Sequence, residues 1–405
     1  MNYLVADEWL FHDRPGGSSR VAWGIAAAAR DEGHRVAYLC CAPPEGPPPG
    51  CQQVEGITIV RYQYPSFSRW NPLRLQAHAR SAEEAARAAL SGVRWDVVHS
   101  HTLIPGLAAY AAAGPRSFKV ATIHSPAVLE ARIAWANGSV SGRLKLIVGG
   151  PMLRHAERRL YDQAHAITAL SEFTKGATTK LYGEPLGRRI EVIPFWPAAK
   201  HSTGKKAARD LLGWSPDVTT MFTLRRLVSR MGLDTLIEAA HRASSSAPPF
   251  KLYIAGEGPE RGALEQRAAA GAGRERIAFL GRLSDADAAA AYAAADLFVL
   301  PTRALECFGI IALEALAAGC PVMASRVGAL PEVVGPILPE LMFEPGDTEG
   351  LARLLVAFLH GRLTVPGAET LRAYVERSYS RERLRRRYLD VLDRRAGKED
   401  RTCAS

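Results

Sequence analysis

Short apolar runs of strand length alternate with alanine-rich stretches of helical period along nearly the whole chain, the pattern of parallel α/β domains. In the first half the pattern predicts strands at 3–6, 35–40, 57–62, 97–99, 119–124, 166–170 and 190–193. Helices are predicted between them at 20–32, 73–90, 104–113, 144–161 and 173–182, with Ser171 as the N-cap of the last. The alternation then stops. Pro194-Phe195-Trp196-Pro197 and the polar, basic run 198–206 show no period and read as an interdomain linker. Beyond it strands are predicted at 219–223, 251–255, 277–280, 297–300 and 322–325, with helices at 233–242, 262–269, 286–294 and 310–318. A last helix pair is predicted at 348–359 and 381–395. Two similar α/β halves predict a cleft between the carboxyl ends of two parallel sheets, the edge at which open sheets bind ligands.

Composition narrows the class. The chain has 405 residues, 47% apolar and 23% charged, enough for two or three domains with cores of their own. That excludes a disordered chain, a small disulfide scaffold and a collagen-like fibre. The six cysteines (Cys40, Cys41, Cys51, Cys307, Cys320 and Cys403) form no Cys-x-x-Cys pair and stand at no zinc-like spacing from a histidine. Neither a structural metal nor a disulfide framework is expected. The net charge of +10 rests on arginine, since only nine of the 51 cations are lysine. A basic surface attracts phosphates, anionic lipid or nucleic acid, and charge alone does not choose among them. The chain shows no nucleic-acid-binding motif and no aromatic–basic interleaving, so no nucleic-acid partner is expected. The N-terminus opens on a strand-like run instead of a signal peptide, and the most apolar stretches, 286–300 and 310–324, carry Asp287, Asp296 or Glu314. A cytoplasmic protein is expected, with peripheral contact at the inner membrane face as the alternative.

The segment 303–334 is the richest in chemistry. Glu306 lies in the loop after a strand ending at Pro301, and Glu314 lies about two turns into the next predicted helix. Eight residues at 100° each give 800°, only 80° beyond two whole turns, so both carboxylates can address the same side of a ligand. Gly309 permits close backbone approach, and the N–H groups of Phe308, Gly309 and Ile310 suit a phosphate or sugar oxygen. Spacing alone fits a helix with one buried glutamate and ordinary glycine breaks equally well.

From Glu306 onward the chain reads Glu-x-Phe-Gly-x-x-x-x-Glu-Ala-x-Ala-x-Gly-x-Pro-Val, continued by Val327-Gly328-Ala329-Leu330-Pro331-Glu332. This resembles the donor-site signature of the retaining GT-B glycosyltransferases of family 4. Other segments resemble the family in order: Pro15-Gly16-Gly17, Glu32-Gly33-His34, Asp96-Val97-Val98-His99-Ser100-His101, Ile123-His124-Ser125-Pro126 and Ser171-Glu172. Ile193-Pro194, Arg226-Leu227, Gly232-Leu233-Asp234, Gly256-Glu257-Gly258-Pro259 and Leu280-Gly281 follow, so the resemblance covers about residues 1–360.

The resemblance implies a GT-B fold, with two Rossmann-like parallel-sheet domains facing across a cleft. An acceptor-binding domain is expected at 1–197 and a nucleotide-sugar-binding domain at 198–375, with a helix in 376–405 returning to the first domain. The implied reaction is a metal-independent, retaining transfer of a hexosyl unit from a nucleotide-diphosphate sugar to a hydroxyl of a glycan, glycolipid or secondary metabolite. No cofactor is implied. Glu306 would contact hydroxyls of the transferred sugar, Glu314 the ribose and Arg226 the pyrophosphate. The amides of Gly16, Gly17, Phe308, Gly309 and Ile310 would stabilise the leaving diphosphate, as preorganised donors do. Arg230, Gly256 and Gly258 complete the implied donor site, and His124 would hydrogen-bond the donor sugar or support the positive sugar centre, and would not act as general base. His99 and His101 are expected to be structural.

Two departures from the family pattern matter. The family usually carries a lysine five residues after the pyrophosphate arginine, and this chain has Met231 there, leaving Arg225 and Arg230 to supply the charge. The Asn-Gly-(Val/Ile)-Asp motif expected after Ile193-Pro194 is replaced by Phe195-Trp196-Pro197, which would move an aromatic into the cleft. Both keep other readings open: a donor-binding partner protein without activity, or a sugar-nucleotide hydrolase or epimerase on the same scaffold. The mixed apolar and basic segment 130–159 reads as core-facing leucines beneath a solvated basic face, with an acceptor pocket or anionic-lipid contact as the alternative. The arginine-rich stretch 381–395 reads likewise as a solvated helix face, with membrane contact as its alternative.

Overall fold

A computed structural model describes residues 1–64, 74–90, 92–135, 140–197 and 204–394. The chain separates into two compact units, Met1–Phe195 with Glu382–Ser405, and Trp196–Arg381.

The first unit holds one eight-stranded sheet: β1 (Asn2–Ala6), β2 (Arg35–Cys41), β3 (Gly50–Val54), β4 (Ile57–Tyr62), β5 (Val97–Ser100), β6 (Phe118–Ile123), β7 (Ala166–Ala169) and β8 (Ile190–Val192). Their order is β3-β4-β2-β1-β5-β6-β7-β8, all parallel except β3, which runs antiparallel to β4. Leu4 and Val5 point to opposite faces of β1 and are both fully buried, which is why these strands read as continuous apolar runs. Ala6 pairs with Leu39 on one side and Ser100 on the other. The chain order reverses at β1, so its carboxyl end is the place where such a sheet takes a ligand.

Not every element was legible. β3 (Gly-Cys-Gln-Gln-Val) lacks apolar alternation and is largely exposed. It is held as an edge strand by a two-residue turn, Glu55 (φ 47°) and Gly56 (φ 79°), which closes Val54 on Ile57. Ser171 caps its helix as predicted, its Oγ accepting from the Thr174 N–H at 3.1 Å. Helices Ala127–Trp135 and Ala368–Tyr379 were not predicted.

The terminal helix Arg381–Asp393 joins the first unit, burying Leu384, Tyr388, Val391 and Leu392. Tyr388 donates to the Ile193 carbonyl (2.7 Å) and Arg387 to the Val192 carbonyl (2.9 Å). Phe195 packs edge-on against Tyr388 with ring centres 6.5 Å apart, and Trp196 is buried. Phe195 thus packs on the terminal helix. The linker is also shorter than composition implied, because Lys205–Leu212 is a helix. Its Arg209, 6% exposed, donates to the carbonyls of Ala294 (3.0 Å) and Pro216 (2.9 Å) and to Asp296 (2.5 Å), so a packed arginine anchors the helix that overlaps the end of the predicted linker. Linker positions 198–203, the predicted helix start at Leu73, the predicted helix end at Arg395 and Cys403 lie outside the described residues.

The second unit holds a six-stranded parallel sheet: β9 (Thr219–Leu224), β10 (Phe250–Ala255), β11 (Ile277–Gly281), β12 (Leu297–Leu300), β13 (Val322–Ser325) and β14 (Met342–Phe343). The order β11-β10-β9-β12-β13-β14 reverses at β9, between β10 and β12. Phe222, Phe298 and Tyr292 interlock in its core, with centroids 5.1 to 5.6 Å apart. Burying each such ring contributes about 1.5–3 kcal/mol. Among the described residues no helix is long and apolar enough to cross a membrane.

Candidate active site

In the second unit, loops leaving the carboxyl ends of β9, β10 and β12 meet. The two arginines after β9 diverge. Arg226 is exposed, whereas Arg225 is turned inward and only 8% exposed. Arg225 Nη2 donates to Glu306 Oε2 (2.6 Å) and Thr302 Oγ1 (2.8 Å), and lies 2.7 Å from Met231 Sδ. A neutral thioether tolerates that neighbour. An ammonium in its place would meet the guanidinium at contact distance, where burial weakens screening.

The Glu306 loop is braced from several sides. Leu305 has a φ of 56°, a left-handed conformation that costs a non-glycine residue energy. Its carbonyl accepts from Arg230 Nη1 at 3.0 Å. The Glu306 carbonyl accepts from the Ala329 N–H (2.8 Å), and Arg303 reaches Asp234 and Thr235, both at 2.7 Å. Arg230, expected at the donor, is thus committed in part to holding this loop. Gly256 and Gly258 have a comparable reason. A Cβ on Gly256 would stand 1.8 Å from the Arg225 carbonyl oxygen, and one on Gly258 would stand 2.3 Å from that of Leu227. Only glycine lets the β10 loop close on the backbone of the arginine loop.

Gly309 (φ 86°) starts the helix Ile310–Ala318, so the positive end of a helix dipole directly follows Glu306 in the chain. Phe308 is buried and meets Tyr379 at 6.2 Å between ring centres. Glu314 is 6% exposed, and its Oε2 accepts from Tyr292 Oη at 3.2 Å. Glu306 turns to Arg225, while Glu314 lies on the helix that packs on Asp285–Ala294.

In the first unit, histidines gather at the carboxyl edge of the sheet. Tyr3 Oη meets His99 Nδ1 (2.6 Å), His99 Nε2 meets Thr122 Oγ1 (2.7 Å), and Thr122 meets Thr168 (2.7 Å). This relay ties β1, β5, β6 and β7 together, a structural role. His101 Nδ1 lies 3.0 Å from His124 Nε2 with the rings stacked. Burial pushes His99 and His124 down to about 3 and holds His101 well below the ordinary histidine value. These rings are neutral at physiological pH, so His124 offers a hydrogen bond and not a charge. Asp7, directly after β1, is fully buried, and burial pushes it up to about 7 against the opposing pull of the Glu8 and Trp9 backbone and of Thr102. Gly16 precedes the helix Gly17–Asp31, and a Cβ on Gly17 would meet nothing within 4 Å, so this helix start is sterically open.

The profile of Glycosyltransferase Family 4 matches residues 15–195, and that of Glycosyl transferases group 1 matches residues 205–381. A GDP-mannose-dependent monoacylated alpha-(1-6)-phosphatidylinositol monomannoside mannosyltransferase of Corynebacterium glutamicum is 32% identical over 261 residues, covering 60% of this chain and 67% of the relative. The chain belongs to the group 1 glycosyl transferases. A phosphatidyl-myo-inositol mannosyltransferase of Mycobacterium leprae is 28% identical over 373 residues, covering 89% of this chain and 90% of that one. The GT-B fold of this group 1 transferase matches that of sucrose-phosphate synthase from Thermosynechococcus elongatus, with a TM-score of 0.71 at 19% identity over 99% of this chain and 98% of that one.

Two residues of this group 1 transferase escaped the sequence reading in part. Asp7 carries a usable signal, an acid immediately after a buried strand. Arg225 reads in the sequence only as a flanking charge. Its inward turn follows from its place one residue past β9, opposite in side to Arg226, which period-2 alternation at a strand end could have suggested.

Proposed function

We propose that this transferase moves a mannosyl unit from GDP-mannose to a hydroxyl on the headgroup of an inositol phospholipid, with retention at the anomeric carbon and without a metal ion. The observation that carries the reading is the part-buried Arg225–Glu306 pair just before a helix, within one compact unit. It holds a carboxylate ready to accept from sugar hydroxyls beside cations and amides suited to a diphosphate. The names of the two mannosyltransferase relatives supply the donor and acceptor class.

In this reading the bond between the anomeric carbon and the diphosphate oxygen breaks, with its electron pair passing to the diphosphate. The acceptor oxygen bonds to the same face of that carbon, and its proton passes to the departing diphosphate oxygen. Exposed Arg226 and the amides of Phe308, Gly309 and Ile310 take up the growing negative charge; one such preorganised donor is typically worth about 3–4 kcal/mol of barrier. Glu306 accepts from sugar hydroxyls, with Arg225 as the positioning residue that supplies the cation Met231 cannot. Glu314 serves the ribose from its Tyr292-supported seat. In the first unit, His124 acts as a neutral hydrogen-bonding group, and Gly16 and Gly17 present open amides to phosphate.

The test is turnover. Purified protein is mixed with GDP-mannose or UDP-glucose and with phosphatidylinositol, and nucleotide release and product configuration are followed with and without a chelator. Chelator-insensitive, acceptor-dependent release of GDP with an α-linked product is the expected result. Equal release without acceptor would identify a hydrolase. Binding without release would identify a non-catalytic partner.

A further inference from the structure

Three histidine rings stand in a row at the carboxyl edge of the first sheet. The centroids of His99 and His101 are 4.2 Å apart, and those of His101 and His124 are 5.2 Å apart. His99 and His101 are buried, and His124 is half-buried. Burial keeps all three rings neutral, so each carries one N–H and one bare nitrogen. The hydrogen-bond partners decide which nitrogen is which.

His99 is decided within the strands. Tyr3 keeps its proton, because burial raises its pKa, and its hydroxyl faces His99 Nδ1 at 2.6 Å. The phenol donates, so His99 Nδ1 accepts. The Nε2–H of His99 then donates to Thr122 Oγ1 (2.7 Å), which in turn meets Thr168 Oγ1 (2.7 Å). Both nitrogens of His99 are engaged there, and neither is left for His101.

His101 has a different balance. Its Nδ1 lies 3.0 Å from His124 Nε2, whereas its Nε2 is buried without a hydrogen-bond partner. Between two neutral rings the bridging hydrogen belongs to one nitrogen or the other. Were it on His124, His101 would carry its own hydrogen on Nε2, an N–H buried with nothing to accept it. Leaving a buried donor unpaired costs about 1–3 kcal/mol, and orphaned N–H groups are rarer than under-satisfied acceptors. With the hydrogen on His101 Nδ1, only a lone pair is left at the buried Nε2. His124 then carries its hydrogen on Nδ1, which makes no hydrogen bond with the described residues and is not among the buried unpaired atoms.

We propose that His101 is a positioning residue, whose Nδ1–H donates to His124 Nε2 and fixes His124 as the Nδ1–H tautomer. His124 thereby presents a donor to a ligand oxygen. Its one lone pair is already taken by His101, so the ring has no bare nitrogen with which to act as a base. The use of this N–H in turnover rests on the proposed reading of His124 as a site residue; the tautomer itself does not.

The test is nitrogen-15 NMR on the full-length protein, ligand-free at neutral pH, with labelled histidine. Correlations from the ring carbon-bound hydrogens distinguish Nδ1–H from Nε2–H rings, and loss of signals in His124→Phe and His101→Phe assigns the two residues. His101 and His124 are expected in the Nδ1–H form and His99 in the Nε2–H form. In His101→Phe, His124 should lose its single form for a mixture of tautomers. His101→Asn, whose amide N–H stands near the place of Nδ1–H, should preserve it, and thermal melts check that each variant is folded. In donor turnover His101→Phe should lower kcat/KM by about tenfold, as for one lost hydrogen bond, and His101→Asn should recover most of it. A wild-type His124 in the Nε2–H form overturns the proposal, and so does a His124 that keeps Nδ1–H in His101→Phe. The expected tautomers with unchanged turnover in His101→Phe would uphold the role of His101 and remove His124 from the reaction.

Discussion

Arg225 Nη2 lies 2.6 Å from Glu306 Oε2 and 2.7 Å from the sulfur of Met231, so one buried cation stands between an acid and a neutral thioether. Positions 225 and 231 therefore reach the same spot from the two sides of one loop. A cation arriving from either should serve Glu306, and two together should repel. Arg225→Gln is expected to lower kcat/KM for donor turnover by about a hundredfold, while adding Met231→Lys to it restores most of the loss. Met231→Lys alone, beside the native arginine, should lower the melting temperature. Steady-state kinetics on the three variants check this; a double variant no better than Arg225→Gln refutes the shared position.

Glu306 and Glu314 should fail differently. Glu306→Gln removes an acceptor for sugar hydroxyls and should reduce kcat/KM by about 10²-fold or more, with affinity for bare GDP nearly unchanged. Tyr292→Phe deletes the hydroxyl that donates to Glu314. It should raise the dissociation constants of GDP and GDP-mannose together, by about fivefold for one lost hydrogen bond. Calorimetric titration with both nucleotides separates the two patterns.

Asp7 gives the protein a stability slope with a definite sign. Its carboxyl titrates at about 7 when folded, against 3.8 for the unexposed-to-burial reference, so the folded chain holds the extra proton between those values. Stability from this group therefore falls as pH rises through that window. Asp7→Asn should melt at a higher temperature than wild type above the window and at the same temperature below it. Thermal melts across pH, with the protein otherwise unchanged, measure the difference.

His99 acts in the opposite direction. Its pKa falls from 6.5 to about 3 on burial, so the unfolded chain binds the extra proton between these values and stability is lost as pH falls below 6.5. His99→Gln should flatten the acid limb of the stability profile while costing stability at neutral pH, because Tyr3 and Thr122 lose their shared partner. His124, also depressed to about 3, should contribute no inflection to kcat/KM near the ordinary histidine value.

Both sheets were legible because parallel strands buried on two faces are continuous apolar runs, as in β1 and β12. What failed to show was whatever rests on backbone pairing or on a single long side chain. β3 is polar and is held by its ladder to β4. The helix at Lys205–Leu212 begins inside the polar, basic run 198–206, and its anchoring residue, Arg209, is an arginine that packs by its carbonyl contacts. At the site, the motif located Glu306 and the start of its helix. The inward turn of Arg225 and the bracing by Arg230 depend on loop packing, which no spacing rule encodes.

The helix Arg381–Asp393 completes the sheet unit that begins at Met1, and the whole of the other unit is encoded between them. During synthesis the first half must therefore wait, with the seat of Tyr388 beside Phe195 and Ile193 uncovered, until the second unit and the terminal helix have left the ribosome. Expressing 1–197 by itself would make that exposed state permanent. A fragment supplied with the terminal helix as a separate peptide should recover solubility that the bare half lacks.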